Sequence, residues 1–420
     1  MTLETALNAY MKSSKLFEKT QPCEPAWLAE HKNPSPHKEA LEKQLTAIIR
    51  EKEPRLLDEG LNILLAIGSG GLSCSISNYT YWLGMRALRV GTNQALSELD
   101  GWFNREKVDA YCAVVALGPQ IKMPIKVNDK IVLYPANECP DYNLLSDLAL
   151  DSSGLAVFDN KLPIIKTPVI IAWEEMQVPR VYGADKPDRF SYEIMEDAIR
   201  MVSIINRRHY YIHRRTSDLR EHEPLSSCVK SHSGSKSDAF FADWKTNHNL
   251  DVQPIGNGEN YQNVFDDIWQ KWEQCDEKLK SKIRLAIDRW SQSQHRATDE
   301  DKAIEMRVAL EALLIEKEQV KISSTIRDKV KLICSDNEEP PKLAYDIYNA
   351  GSRIMHEGKI SNSFEKKSKS KKSPRKLLKA IHSEFPQMVR FVIENGIPIL
   401  PNKSGWVAKV TQLICGIVRP

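Results

Sequence analysis

The segment from Pro340 to Gly358 constrains the fold of this 420-residue chain more than any other stretch. It begins with two prolines, which the first turn of a helix accepts because the earliest N–H groups have no intrahelical partner. Tyr348, Ser352 and His356 are four residues apart and therefore share one helical face, and Gly358 is typical of a left-handed helix stop. Another face is apolar at helical spacing and consists of Leu343, Ile347, Ala350 and Ile354. The segment therefore predicts an amphipathic helix that packs in a bundle and ends close to a histidine.

Charge and cysteine content exclude several classes of protein. The 59 Lys and Arg residues nearly balance the 56 Asp and Glu residues, so net charge alone does not indicate a nucleic-acid partner. The eight cysteines include no Cys-x-x-Cys pair, which predicts reduced thiols rather than a disulfide framework or a zinc site. No apolar run has membrane-spanning length, and no hydrophobic signal segment is present at the N-terminus. We expect a soluble cytoplasmic protein that needs no metal or cofactor and does not associate with membranes.

Residues 1–185 are predicted to form a domain that mixes helices with a small mixed or antiparallel sheet. Short β-type runs occur there, each bounded by Pro, Asn, Asp or Gly. The runs are Tyr111–Leu117, Ile131–Tyr134, Leu155–Phe158, Ile164–Ile165 and Val169–Trp173. Neither paired carboxylates nor a histidine cluster stands out in this region, so the sequence assigns it no chemistry.

A glycine cluster at residues 68–71 follows an apolar run that predicts a helix. The run contains Leu56, Leu57, Leu61, Leu64 and Leu65. The Gly-Lys-Ser/Thr ending of a phosphate loop is absent, as is the third glycine of a dinucleotide fingerprint. A turn is therefore the preferred interpretation of the cluster.

Residues 186–420 are predicted to form an all-α bundle, so the chain as a whole belongs to the α+β class. An exposed insertion near residues 218–260 is rich in Ser, His, Lys, Asn and Gly. Thr298 begins a capping signal before a helix that is apolar nearly all round and is therefore central. Glu311 lies on that central helix, where a carboxylate needs a cation as partner unless it faces water at the bundle edge.

Two helical segments resemble the HEPN superfamily, and most closely its Apea-like branch. The signature helix of that branch has a tyrosine, then arginine, serine or asparagine, and ends in an aliphatic residue, histidine and glycine, which is similar to Tyr348–Gly358. Arg307–Leu314 is similar to its Ala-Leu-Glu-x-Leu-Leu helix. The order and separation of the two segments also match. The resemblance covers the C-terminal third to half of the chain.

The chain departs from this family at one position. HEPN ribonucleases resemble one another in an arginine that precedes the histidine by four to six intervening residues. Counted back from His356, those positions hold Gly351, Ala350 and Asn349, and the nearest arginine is Arg353. The usual arginine that would stabilise the phosphate is therefore missing or replaced by another residue.

Arg208 and His213 satisfy the spacing that His356 lacks, and they are our second choice of site. They lie in the stretch Arg207–Arg215, where basic residues alternate with aromatic ones. Such a pattern binds phosphates and stacks bases. The alternative is a solvated helix end whose cations complement the helix dipole.

A basic run follows the signature helix and is predicted to be flexible, because like charges repel one another. It is placed to attract an RNA backbone, although a solubilising loop remains the alternative. Its cations are Lys366, Lys367, Lys369, Lys371, Lys372 and Arg375.

The resemblance implies a metal-independent endoribonuclease of bacterial anti-phage defence, a toxin that cleaves RNA, with tRNA as one candidate, and causes abortive infection. In that interpretation His356 is the acid/base, Ser352 and Asn349 position the phosphate, Arg353 replaces the lost arginine, and Glu311 orients the site. The family also implies a homodimer formed through the helical domain, with the N-terminal domain as the sensing or regulatory part. Two alternatives remain: an inactive HEPN-like binding or assembly subunit of a defence complex, which has a partner protein, and an unrelated helical scaffold.

Overall fold

A computed structural model confirms the α+β class, with an antiparallel sheet in the N-terminal half and mostly helices in the C-terminal half. It describes residues 1–13, 36–52, 63–67, 70–74, 76–118, 121–141, 144, 156–159, 162–165, 169–179, 192–220, 222–224, 231–233, 261–316, 321–335, 337–359 and 364–400. The helices are α1 (Leu3–Ser13), α2 (Pro36–Lys52), α3 (Ile76–Val90), α4 (Thr92–Phe103), α5 (Glu193–Asn206), α6 (Tyr261–Gln274), α7 (Glu277–His295), α8 (Asp299–Leu314), α9 (Ile322–Ile333), α10 (Glu339–Glu357), α11 (Phe364–Lys367) and α12 (Pro374–Asn395). The strands are β1 (Ile63–Ile67), β2 (Gly70–Cys74), β3 (Lys107–Leu117), β4 (Ile125–Lys126), β5 (Ile131–Pro135), β6 (Ala156–Asp159), β7 (Leu162–Ile165), β8 (Val169–Pro179), β9 (Tyr211–Leu219) and β10 (Ser231–Ser233).

The chain folds into two compact units. The sheet unit comprises Met1–Ile199 and Tyr211–Gly258, and the helical unit comprises Arg200–Tyr210 and Glu259–Pro420. This division differs from the boundary expected near residue 185 and from an insertion at 218–260 in the helical domain. The reason is that the chain enters the helical unit within α5 and then returns to the sheet as β9.

The main sheet is antiparallel and has the strand order β10-β9-β3-β8-β5-β4. β3 lies between β8 and β9, so that Val114 faces Ala172 on one side and Arg215 on the other. β6 pairs with β7 in a separate hairpin. The described residues of all five predicted β-type runs lie in strands, and the main sheet is antiparallel as predicted.

Two predicted helical stretches are strands instead. Leu64 and Leu65 belong to β1, which pairs with β2 so that Leu65 faces Leu72. The stretch after Asn206 does not continue α5, because residues 211–219 form β9 beside β3. In both places strand pairing overrides a locally helical pattern.

Alternating residues of β3 pack into two separate hydrophobic cores, as the period of a strand requires. Val108 and Ala110 belong to a core with residues of α1 to α4, such as Leu41 and Trp102. Tyr111, Ala113, Val115 and Leu117 contribute to the other core, in which the Tyr111 ring stacks on Trp173 at 4.0 Å between centroids.

The helical unit is organised around α8, which packs against α7, α9, α10 and α12. This arrangement confirms the prediction of a central helix. Thr298 is its N-cap and accepts a hydrogen bond from the Asp301 N–H at 3.1 Å, also as predicted. None of the helices among the described residues has the length and apolarity needed to cross a membrane. The sequence also predicts a short last helix at Trp406–Ile417, and those residues lie outside the part of the chain that the structure describes.

Candidate functional site

Helix α10 places His356 at the protein surface. The predicted stripe of Leu343, Ile347, Ala350 and Ile354 is buried, which fixes the rotation of the helix about its axis. The helix ends at Gly358, whose φ of 76° is left-handed and whose N–H donates to the Ile354 carbonyl at 2.7 Å. His356 is therefore exposed in the last turn, Ser352 is half-buried, and Tyr348 is buried.

Gly351 is a point of close contact between α10 and α8. A Cβ atom at this position would lie 2.8 Å from the Ala303 carbonyl oxygen and 2.8 Å from the Arg307 Cβ. Contacts that short do not occur, so a side chain here requires one helix to move. Of the three positions at which the resemblance would place an arginine, position 351 therefore has no room for one.

Arg307 occupies this same helix–helix contact. Its Nη2 lies 3.1 Å from Glu311 Oε1, and its guanidinium carbon lies 5.1 Å from the centre of the Tyr348 ring. Its Nη1 contacts the sulfur of Met355 at 2.9 Å, one residue before His356. We call Arg307, Glu311, Tyr348 and Met355 the arginine cluster.

Glu311 joins the two helices of the arginine cluster. Its Oε1 accepts a hydrogen bond from the Tyr348 hydroxyl at 2.7 Å in addition to those from Arg307. Burial and the adjacent Glu311 carboxylate raise the pKa of the Tyr348 phenol above its ordinary value. The expectation that Glu311 pairs with a cation is confirmed, and the cation is Arg307.

The other predicted residues of α10 have different surroundings. Arg353 is exposed. The Asn349 side-chain amide donates to the Tyr345 carbonyl of its own helix at 2.9 Å. A helix places Arg353 about 60° round from His356, on the side away from Met355. Arg353 and His356 are thus both open to solvent, whereas Asn349 is engaged locally.

The lysine segment, residues 364–376, is attached to α10 rather than detached from it. Asp346 is 3% exposed and accepts the Lys369 N–H at 2.9 Å and the Ser370 N–H at 2.7 Å. The Lys369 ammonium lies 3.7 Å from the centre of the Tyr345 ring, and Lys372 pairs with Glu339 at 3.0 Å. The predicted flexibility of this backbone is therefore wrong at residues 369–370, because a buried carboxylate binds it.

Several cations of the lysine segment point into solvent. Lys366, Lys367, Lys371 and Arg375 are exposed, and the Lys371 ammonium donates to the Lys366 carbonyl at 2.7 Å. The segment consequently presents positive charge at a fixed place along α10. Such charge attracts a phosphate backbone.

Arg208 and His213, the second choice of site, do not lie on one helix. Helix α5 ends at Asn206, and Arg207 has a left-handed φ of 51°, so the two residues do not share a helix. His213 lies in β9 and is only 4% exposed, which leaves it unavailable to RNA. The prediction that this stretch is helical is therefore wrong at residues 211–215, and His213 is too buried to serve as the alternative histidine.

The sheet unit contains an ionic cluster that the sequence did not reveal, and we call it the sheet cluster. Arg105 lies 2.6 Å from a Glu223 oxygen, and the other Glu223 oxygen accepts the Asp109 N–H at 2.8 Å. His222 Nε2 lies 3.0 Å from the Asp109 carboxylate. Residues 109 and 223 are 114 positions apart, so only the fold brings them together.

The sheet cluster has the donor types of a metal site, but its carboxylates are already bound. Burial raises the pKa of the fully buried Glu223 carboxyl, and Arg105 and the Asp109 N–H oppose that rise only partly. For Asp109, burial also raises the pKa, but hydrogen bonds from His222 and Gln177 outweigh it and lower the pKa. With Arg105 in place of a metal cation, the cluster connects the start of β3 to the turn at 222–223.

Comparison with known proteins finds no matching family model, curated protein or solved structure.

Proposed function

We propose that the protein is a metal-independent endoribonuclease in which His356 is the acid/base. The motifs of the Apea-like HEPN branch suggest this chemistry. The observation that carries the proposal is the position of His356 in the last turn of α10, where solvent, and hence an RNA strand, has access to its ring. The lysine segment and Arg353 supply positive charge along the same helix.

The reaction needs two proton transfers and one stabilised charge. A base removes the proton of the ribose 2′-hydroxyl, the resulting oxygen attacks phosphorus, and an acid protonates the departing 5′-oxygen, which leaves a 2′,3′-cyclic phosphate. Imidazole suits both transfers because it titrates close to neutral pH. Positive charge must meanwhile stabilise the phosphorane oxygens.

The proposal also covers the substrate, the oligomeric state and the biological role. The substrate is RNA, with tRNA as one candidate, and two copies of the helical unit form a dimer in which each supplies one histidine. The biological role is anti-phage defence, in which RNA cleavage arrests the infected cell. The sheet unit would then carry the sensing or regulatory function.

The test is RNA cleavage by the purified protein in the presence of EDTA, beside a His356→Ala variant. We expect the parent to produce fragments with cyclic-phosphate ends and the variant to be at least about 100-fold slower, the usual contribution of a general acid or base. His37→Ala is the matched control, because His37 is also exposed on a helix but lies in the sheet unit. Equal cleavage by the parent and the His356→Ala variant would overturn the proposal.

A second candidate function is a HEPN-like binding or assembly subunit that does not cleave RNA. Gly351 favours it, because the tight contact with α8 leaves no room for the arginine of the family. In that case neither the parent nor the His356→Ala variant cleaves RNA, and RNA or a partner protein co-purifies with both.

A further inference from the structure

The contact at Gly351 brings a cation from another helix to the site. A side chain at position 351 would collide with Arg307 of α8, so the absence of that side chain is what lets the Arg307 stem cross α10. The guanidinium then extends past Tyr348 to Met355. Where α10 has Gly351 in place of an arginine, α8 therefore supplies the guanidinium of Arg307.

The guanidinium reaches the residue that precedes His356 and is partly exposed to solvent. Met355, which it contacts, is 61% exposed and immediately precedes His356, which lies about 100° further round the helix. The Arg307 side chain is itself 18% exposed. The guanidinium is therefore partly open to solvent at the last turn of α10, the turn that carries His356.

One edge of the guanidinium has only a weak partner. Nε and Nη2 both point at Glu311 Oε1, at 3.3 and 3.1 Å. Nη1 points at the thioether sulfur of Met355, which is a poor acceptor. A phosphate oxygen is a far stronger acceptor for a guanidinium, because the hydrogen bond is then charge-assisted.

We propose that Arg307 is the phosphate-binding cation of the α10 site and that Glu311 restrains it by competing with the phosphate for the same guanidinium. This inference rests on the proposed RNA-directed function of the site. The Tyr348 hydroxyl donates to Glu311 and so keeps the carboxylate turned towards Arg307. Loss of the Glu311 charge should therefore strengthen RNA binding, and loss of Arg307 should weaken it.

The experiment measures RNA binding, so that its outcome is separate from that of the cleavage test. The full-length His356→Ala protein, which leaves the RNA intact, is titrated with a labelled single-stranded RNA oligonucleotide in EDTA at several salt concentrations. Arg307→Gln should raise Kd about tenfold, as expected for one charge-assisted hydrogen bond. It should also reduce the slope of log Kd against log salt concentration by about 0.7, as expected for one phosphate contact on a single strand.

Glu311→Gln should lower Kd about fivefold, because the competing charge is gone. This gain should disappear when Arg307→Gln is also present, since Glu311 acts through Arg307. The matched control is the pair Arg390 and Glu394 on α12, which has the same four-residue spacing and an Nε–Oε1 distance of 2.8 Å. Arg390→Gln and Glu394→Gln should each leave Kd within about twofold, as is usual for an exposed pair.

Three outcomes would overturn the inference: no RNA binding by the His356→Ala protein, an Arg307→Gln variant that melts normally and binds RNA with unchanged Kd and salt slope, or a Glu311→Gln gain that persists without Arg307. Should Arg307→Gln not fold, Arg307→Lys replaces it. Lysine keeps the charge and the aliphatic stem, so it should retain the salt slope but bind more weakly because the planar fork is lost. If the parent protein does not cleave RNA in the earlier test but these binding effects are observed, only the nuclease proposal is rejected.

Discussion

The two units each contain an arginine bound by a glutamate, and the contrast between the two clusters shows which one is available for chemistry. In the sheet cluster, the Glu223 side chain has no exposed surface and binds both Arg105 and a backbone N–H. In the arginine cluster, Glu311 is 29% exposed, and Arg307 directs one of its nitrogens at a sulfur atom. An ionic cluster is therefore not evidence of a site by itself. What matters is whether its groups retain exposure and a weak partner that a ligand can replace.

The largest expected difference between the clusters is in stability. Glu223→Ala should lower the free energy of unfolding by about 3 kcal/mol, because it leaves Arg105 and the half-buried Asp109 N–H without their acceptor. Glu311→Ala should lower it by no more than about 1 kcal/mol, since its ion pair is partly exposed and screened by water. Urea unfolding measures both values. Equal losses would mean that the arginine cluster is as structural as the sheet cluster.

The next effect concerns the helix contact that admits Arg307. Gly351→Ala should destabilise the protein by about 1–2 kcal/mol, because the new Cβ is forced against the Ala303 carbonyl and Arg307 and the strain exceeds the gain in helix propensity. Thermal melting gives the sign of this stability change. Gly351→Arg should lower RNA cleavage rather than raise it, because the position has no room for the side chain.

Gly101 provides the control for that substitution within the sheet unit. It lies inside α4, and a Cβ there meets nothing within 4 Å. Gly101→Ala should therefore stabilise the protein by about 0.5–1 kcal/mol through helix propensity alone. A Gly351→Ala variant that is also stabilised would show that the contact between α8 and α10 is looser than the structure has it.

The smallest effect is the pH dependence of stability that the arginine cluster contributes through Tyr348. The pKa of Tyr348 is raised by burial and by Glu311, so the native state holds this proton more tightly than the unfolded chain does. The resulting stability is fully present below the ordinary tyrosine pKa of about 10 and is lost as pH rises through the higher native value.

Tyr348→Phe should therefore cost about 1 kcal/mol at pH 8 and less at pH 11, where the parent has lost the benefit of its hydroxyl proton. The difference in melting temperature between parent and variant at the two pH values provides the measurement. A difference that grows with pH would contradict the assigned hydrogen bond to Glu311.

Local patterns in the sequence predicted the elements that depend on local physics. Helix α10 follows from its spacing of apolar residues, its initial prolines and Gly358, and all of these have the expected positions. The Thr298 cap and the central position of α8 are of the same kind. The pairing of Glu311 with a cation followed from the cost of burying a lone carboxylate.

Features that depend on distant parts of the chain were not predictable in this way. The sequence predicts a helix end where β9 begins, because the pairing of β9 with β3 leaves no signal within the stretch itself. Arg307 was missed because the significance of Gly351 appears only when α8 is packed against it. The one available sign was local: Arg307 precedes Glu311 by four residues, the spacing of a helical ion pair.

The position of β9 in the sequence also determines when the second edge of β3 is covered during synthesis. During synthesis β3 and β8 emerge first, and the edge of β3 that receives β9 stays open until the chain has been made as far as Leu219. The first segment of the helical unit, Arg200–Tyr210, is made in that interval. A nascent chain stalled or cut there presents an unpaired strand edge, the kind of surface that recruits chaperones or other nascent chains. Expression of residues 1–185 alone would reproduce that state permanently.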